Sequence, residues 1–140
     1  MSPDNIKVLI VDDITQVRQG LVTMLRLASK NLDPKIEVTG EAQNGEEAIE
    51  QATILHPDVI LMDLEMPVVD GFSAAQGIKS EHPSIWVVAL TIHGDSATRM
   101  KASEAGFDAF VEKGAPKEEL IQAIQNCRET CKGDGETHGK

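Results

Sequence analysis

Asp12, Asp13 and Asp63 each stand where an apolar run ends. Lys7-Val-Leu-Ile-Val11 runs into the pair Asp12-Asp13, and Asp58-Val-Ile-Leu-Met runs into Asp63. An apolar strand holds the residue that follows it rigidly at a sheet's edge. If both strands lie parallel in one sheet, the three carboxylates converge at their C-terminal ends, where open α/β sheets bind ligands. Three oxygen ligands of this kind suit a hard divalent cation such as Mg²⁺. Two later runs also end in reactive groups: Val87-Val-Ala-Leu stops at the hydroxyl of Thr91, and Ala109-Phe-Val-Glu at the ammonium of Lys113. Taken singly, each acid reads as a helix N-cap or turn residue. Taken jointly, an acid pair, an acid, a hydroxyl and a cation at the ends of strands one, three, four and five can bind a metal ion and a phosphoryl group.

The elements that must position these groups are legible in the hydrophobic pattern. Short apolar strands alternate with helical stretches five times, which predicts an α/β fold with a parallel sheet covered on both faces. The first helix begins near Thr15, and Val17, Leu21, Met24, Leu25 and Ala28 form an apolar stripe expected to face the core. Pro34 separates it from a strand over residues 36–42. Asn44-Gly45 then turns the chain into a helix carrying Ala48, Ala52 and Leu55. His56-Pro57 and His82-Pro83 mark helix ends, since a residue before proline is pushed out of helical geometry. The remaining helices are placed at 72–81, 96–105 and 117–129, with Gly106 closing the fourth in a left-handed conformation and Pro116 opening the fifth at a first-turn site. The fourth helix has Ala97, Met100, Ala102 and Ala105 as its apolar residues and no Leu, Ile or Val. It reads equally as a loosely packed surface helix and as a mobile element with a partner-facing side. From Lys132 onward there is no hydrophobic residue, so 132–140 is expected to be a disordered polar tail behind a domain over 5–131.

A chain of 140 residues suits one domain that needs no disulfides. Cys127 and Cys131 fall four apart on one predicted helix, and only His138 is near them, so two reduced thiols are expected rather than a zinc site. With 13 Lys and Arg against 23 Asp and Glu, the net charge of −10 repels a phosphate backbone and argues against direct contact with nucleic acid. No apolar run approaches the ~20 residues of a membrane span, and a cytoplasmic protein without signal peptide or membrane contact is expected.

In order and spacing, Asp12-Asp13, Asp63 followed by Met66-Pro67 and Asp70-Gly71, Thr91, Phe110 and Lys113 resemble the receiver domain of bacterial two-component response regulators. The likeness covers residues 7–127. Residues 37–48 and 113–123 are most similar to receivers of the NarL type, which usually precede a DNA-binding helix-turn-helix domain. The resemblance implies a CheY-like, flavodoxin-like (βα)5 fold: three layers around a doubly wound five-stranded parallel sheet in the order 2-1-3-4-5. It implies that Asp63 takes a phosphoryl group from a phosphohistidine on a sensor histidine kinase or phosphotransfer protein. Mg²⁺ would be held directly by Asp13 and Asp63, by the backbone carbonyl of Glu65, and through water by Asp12. Lys113 would add a fixed positive charge and Thr91 a hydrogen bond. Thr91 and Phe110 would then act as the switch that alters the fourth helix and fifth strand. Homodimerisation on phosphorylation is compatible with the family, and DNA would be reached through an output domain outside these residues. Beyond its own phosphorylation and dephosphorylation, no enzymatic activity is expected.

The chain departs from the commonest family pattern at Glu65, at Ile92 after the switch threonine, and at Phe110, which lacks a hydroxyl. Three other readings compete. A binding module that signals without phosphate would lack one of the acids, the Thr or the Lys, and all are here. A haloacid-dehalogenase-like phosphatase requires Asp-x-Asp after its first strand and room for a cap domain. A flavin- or nucleotide-binding relative requires a phosphate-cradling loop where this chain has Val11-Asp-Asp-Ile-Thr-Gln.

Overall fold

The computed structural model describes residues 5–66 and 71–137, with side chains to residue 128. Pro67, Asp70, His138 and the last residues of the tail lie outside the described residues.

β1 (Ile6–Val11), β2 (Ile36–Ala42), β3 (Val59–Asp63), β4 (Trp86–Thr91) and β5 (Ala109–Glu112) form one parallel sheet in the order β2-β1-β3-β4-β5. Between them run α1 (Thr15–Ser29), α2 (Gly45–Leu55), α3 (Gly71–Glu81) and α4 (Ser96–Ala105), with α5 (Lys117–Thr137) last. The expected fold class and strand order are both present. Parallel pairing demands crossovers, and the helices supply them.

Each strand divides its side chains between the two faces, as a period of two requires. Leu9, Val11, Ile60, Met62, Val87 and Ala89 pack under α2, α3 and α4. Ile6, Val8, Ile10, Val59, Leu61, Val88 and Leu90 pack under α1 and α5. Since both faces are covered, β3 is buried at every position, which is why its sequence is a continuous apolar run rather than an alternating one. Chain order reverses between β1 and β3, and a crevice opens at their C-terminal ends.

Helix boundaries follow local chemistry. Asn44 caps α2 by accepting the Glu47 N–H at 2.8 Å, and the Glu47 carboxylate returns to the Gln43 N–H at 3.0 Å. His56 ends α2 in the left-handed region at φ 48°, an uncommon conformation for a side chain with a Cβ. Gly106 closes α4 at φ 103°, as its position predicts. Pro116 stands just before α5, where its carbonyl accepts the Glu119 N–H at 2.9 Å.

Two helices differ from expectation. In α1 the inward stripe is Val22, Leu25 and Ser29, with Leu21, Met24 and Ala28 beside it, while Val17 is exposed. Arg18 takes the place expected for Val17. Its side chain is largely covered, with Nε on Glu41 at 2.9 Å and Nη1 on the Asp12 carbonyl at 2.8 Å. A long aliphatic stem lets a charged residue occupy an inward position if its head finds acceptors. The second difference is α5, which continues to Thr137 instead of ending at Glu129. It passes through Gly133 and Gly135, each of which costs about 1 kcal/mol relative to alanine in a helix interior.

Candidate functional site

The crevice between β1 and β3 holds the acids. Ligand oxygens of Asp12, Asp13 and Asp63 all lie within 4.8 Å of one another, with Asp12 and Asp63 buried and Asp13 the accessible member. Asp63 is the last residue of β3, and its backbone pairs with Leu90 of β4. Asp12 directly follows β1 and is held by four contacts. Its N–H donates to the Ala42 carbonyl at 3.1 Å, its carbonyl accepts from Arg18, Oδ1 accepts the Ile14 N–H at 2.9 Å, and Oδ2 faces Lys113 at 3.3 Å.

Lys113 lies one residue beyond the end of β5, although the sequence places it as the strand's last residue. Its N–H donates to the Thr91 carbonyl at 2.7 Å, and Gly114 then turns the chain at φ 93°. From that anchor the side chain reaches back past β4, with Nζ 3.2 Å from Asp63 Oδ1 and 3.3 Å from Asp12 Oδ2. The four-carbon stem of lysine makes this span feasible.

Burial pushes the Asp63 carboxyl up to about 6; the charge of Asp12 adds to this, while the Glu65 N–H and Lys113 oppose it. Crowding of acids contributes to the raised pKa, yet desolvation is the larger cause. For Lys113, burial alone would lower the pKa, but attraction to Asp63 and Asp12 outweighs it and holds the ammonium above the ordinary lysine value.

Three convergent carboxylates form a hard, anionic, all-oxygen donor set. Ligand separations in an octahedron with Mg–O bonds of about 2.0–2.1 Å run from roughly 2.9 to 4.2 Å, so the observed cluster fits a small divalent cation with minor adjustment.

Glu65 sits on the β3–α3 loop, its N–H donating to Asp63 Oδ1 at 3.0 Å. Its side chain does something the sequence does not reveal: Oε2 accepts the hydroxyl of Thr91. Thr91 is fully buried at the end of β4, and its oxygen accepts the His93 N–H at 2.9 Å. Ile92, next in the chain, is two-thirds exposed, at 66%.

Phe110 is half-buried on β5 and does not reach the acid cluster. It packs against the core under α2–α4 and carries the guanidinium of Arg99 from α4 at 4.4 Å from its ring centre. Arg99 escaped sequence reading because a charge on an exposed helix face normally signals only solvation. A cavity of about 220 Å³ lies alongside, lined by Arg99, Ser103, Phe107 and Phe110 among others.

Residues 8–125 match the family described as the response regulator receiver domain. Over 120 residues the chain is 39% identical to the response regulator GacA of Pseudomonas syringae pv. syringae, covering 86% of this chain and 54% of that protein. It is 37% identical over 119 residues to the transcriptional regulatory protein LnrK of Bacillus subtilis, covering 85% and 52%. The chain spans about half the length of these curated relatives. Among solved structures, the signal receiver domain assigned to NarL of Mycobacterium tuberculosis superposes with a TM-score of 0.81 at 29% identity, covering 91% of this chain and 98% of that one. Among the described residues, no helix is long and apolar enough to cross a membrane.

Proposed function

The chain belongs to the response regulator receiver domain family, and we propose that it is a phosphoacceptor in a two-component system, receiving a phosphoryl group on Asp63 from the phosphohistidine of a sensor histidine kinase or phosphotransfer protein. The observation that carries this reading is the placement of Asp63: a buried, strand-end carboxylate bridged by Lys113 and set within 4.8 Å of Asp12 and Asp13.

The carboxylate attacks phosphorus, a P–O bond to Asp63 forms as the P–N bond of the donor breaks, and the departing imidazole keeps the electron pair and takes up a proton. The obstacle is the negative charge on both partners, so positioning and charge neutralisation matter most. Lys113 supplies one positive charge from a fixed anchor. Asp12 orients that charge through Oδ2 while Arg18 and the Ile14 N–H hold Asp12 itself. Asp12, Asp13 and Asp63, with the Glu65 carbonyl, would hold Mg²⁺, which when bound offsets charge on the phosphoryl oxygens. Thr91 donates its hydroxyl to a phosphoryl oxygen once that group is in place. Movement of Thr91, and rotation of Phe110 after it, would alter the α4–β5 face by shifting a pre-existing equilibrium.

Residues 5–131 would form the receiver unit, acting in the cytoplasm beside its kinase and turning over no other substrate. The length of GacA and LnrK, and the name of LnrK, favour transcriptional control through an output domain. The net charge of −10 makes that domain, rather than this one, the part that would meet DNA.

Phosphoramidate with Mg²⁺ is expected to add one phosphoryl mass to the wild type, measured by intact mass, and none to Asp63→Asn. Equal labelling of the variant, or labelling indifferent to chelator, would overturn the assignment.

A further inference from the structure

Glu65 adds a further carboxylate to a site that already holds Asp12, Asp13 and Asp63, and phosphoryl transfer as outlined makes no use of its side chain. The residue is exposed, yet its Oε2 accepts the hydrogen bond donated by the buried Thr91 hydroxyl, while its N–H donates to Asp63 Oδ1 at 3.0 Å. One residue thus contacts both the phosphoacceptor and the hydroxyl expected to greet the phosphoryl group. Thr91 has a single hydroxyl proton. That proton is committed to Glu65, and the Thr91 oxygen accepts the His93 N–H at 2.9 Å.

We propose that Glu65 is a positioning residue that latches Thr91 in the unphosphorylated state, so that Thr91 serves a phosphoryl oxygen on Asp63 only after releasing Glu65. The proposal rests on Asp63 being the phosphoacceptor. Its physical basis is competition between two anionic acceptors for one proton, and a carboxylate is a strong competitor because charge-assisted hydrogen bonds are about twice as strong as neutral ones. The competition is reciprocal. Whatever draws the Thr91 hydroxyl toward Asp63 also frees the Glu65 side chain from the end of β4, so phosphorylation acts on the segment just after β3 as well as on the α4–β5 side.

A negative charge at Glu65 could slow labelling merely by repelling an anionic donor, and a double-mutant cycle separates the two effects. Wild type, Glu65→Ala, Thr91→Ala and the double variant are labelled with phosphoramidate and Mg²⁺ and followed by intact mass. The latch requires Glu65→Ala to label faster than wild type, by about tenfold if one charge-assisted hydrogen bond is released. In the Thr91→Ala background the same change should alter the rate less than about twofold, because no hydroxyl remains to free. Equal acceleration in both backgrounds leaves charge repulsion as the cause and overturns the latch, as does no acceleration in either. A second readout needs neither Mg²⁺ nor phosphate: the His93 amide should exchange faster in Glu65→Ala, because its acceptor is no longer held, and unchanged exchange rejects the latch. A wild type that gains no phosphoryl mass refutes the phosphoacceptor reading instead, an outcome distinct from unchanged His93 exchange.

Discussion

β3 and α4 show opposite ways of holding an element to the same sheet. All of β3 is buried, and its last residue is fixed by the Glu65 N–H and by Lys113. α4 buries only Ala102 and Ala105, and leaves Met100 63% exposed. The start of α4 also differs from that of α2. α2 begins with a side-chain cap from Asn44, whereas the Asp95 carboxylate before α4 accepts the Thr98 hydroxyl and caps no backbone N–H. What ties α4 to the sheet beyond those alanines includes the Arg99 guanidinium on Phe110 and its 3.3 Å bond to the Gly94 carbonyl. Elements with few buried apolar contacts occupy the low end of the local stability range. The contrast teaches a division of labour: mutually repelling acids sit on the part of the fold that cannot yield, and the helix expected to report on them sits on a part that can.

The largest test of the rigid region is electrostatic. Asp63 is raised from 3.8 to about 6, so the native state holds its proton more tightly than the unfolded chain does. That contribution favours folding fully below about pH 4 and is lost as pH rises through about 6. Without divalent cations, Asp63→Asn should therefore be more stable than wild type at pH 7 by up to about 3 kcal/mol, with the two converging near pH 4. Urea midpoints in chelator measure this, and Mg²⁺ should shrink the pH 7 gap. A difference independent of pH would mean that the acid cluster is not under electrostatic stress.

A glycine pair tests how far each region gives way. A Cβ on Gly71 would lie 2.6 Å from the Asp63 carbonyl oxygen and 3.0 Å from the Leu64 Cα, both backbone atoms beneath the site. Gly71→Ala should cost about 2–3 kcal/mol. At Gly94 the added atom meets the carboxylate end of Glu112, a flexible exposed side chain that can swing aside. Gly94→Ala should cost less than about 1 kcal/mol. Denaturation curves of the two variants would erase the contrast if the costs came out alike or reversed.

The smallest expected effect isolates α4. Arg99→Ala removes a cation–π contact and one hydrogen bond, at about 0.5–1 kcal/mol, the range for partly exposed contacts of this kind. Amide exchange should quicken in the first turn of α4 and stay unchanged in β3. Equal quickening in both would show that the two elements open as one unit.

The sequence by itself determined much of the scaffold: the alternation of strands and helices, the start of α1, the bounds of β2 and α4, the left-handed glycine after α4, and the strand ends that deliver Asp12, Asp63 and Thr91. Those features rest on local patterns, because a buried parallel strand must be apolar along its length and a helix must end where the backbone allows it. Tertiary structure decided what depends on a partner far along the chain. Arg18 displaced Val17 from the inner stripe of α1 because Glu41 and the Asp12 carbonyl lay within reach of its head. Lys113 left β5 and still reached the acids because the Thr91 carbonyl anchors its backbone. The bond between Glu65 and Thr91 joins residues on different strand ends, which only sheet pairing brings side by side. A period of two or of 3.6 tells which way a side chain faces along its own element. It carries nothing about which hydroxyl, carbonyl or carboxylate another element will set opposite it, and the state of the candidate site turns on those partners.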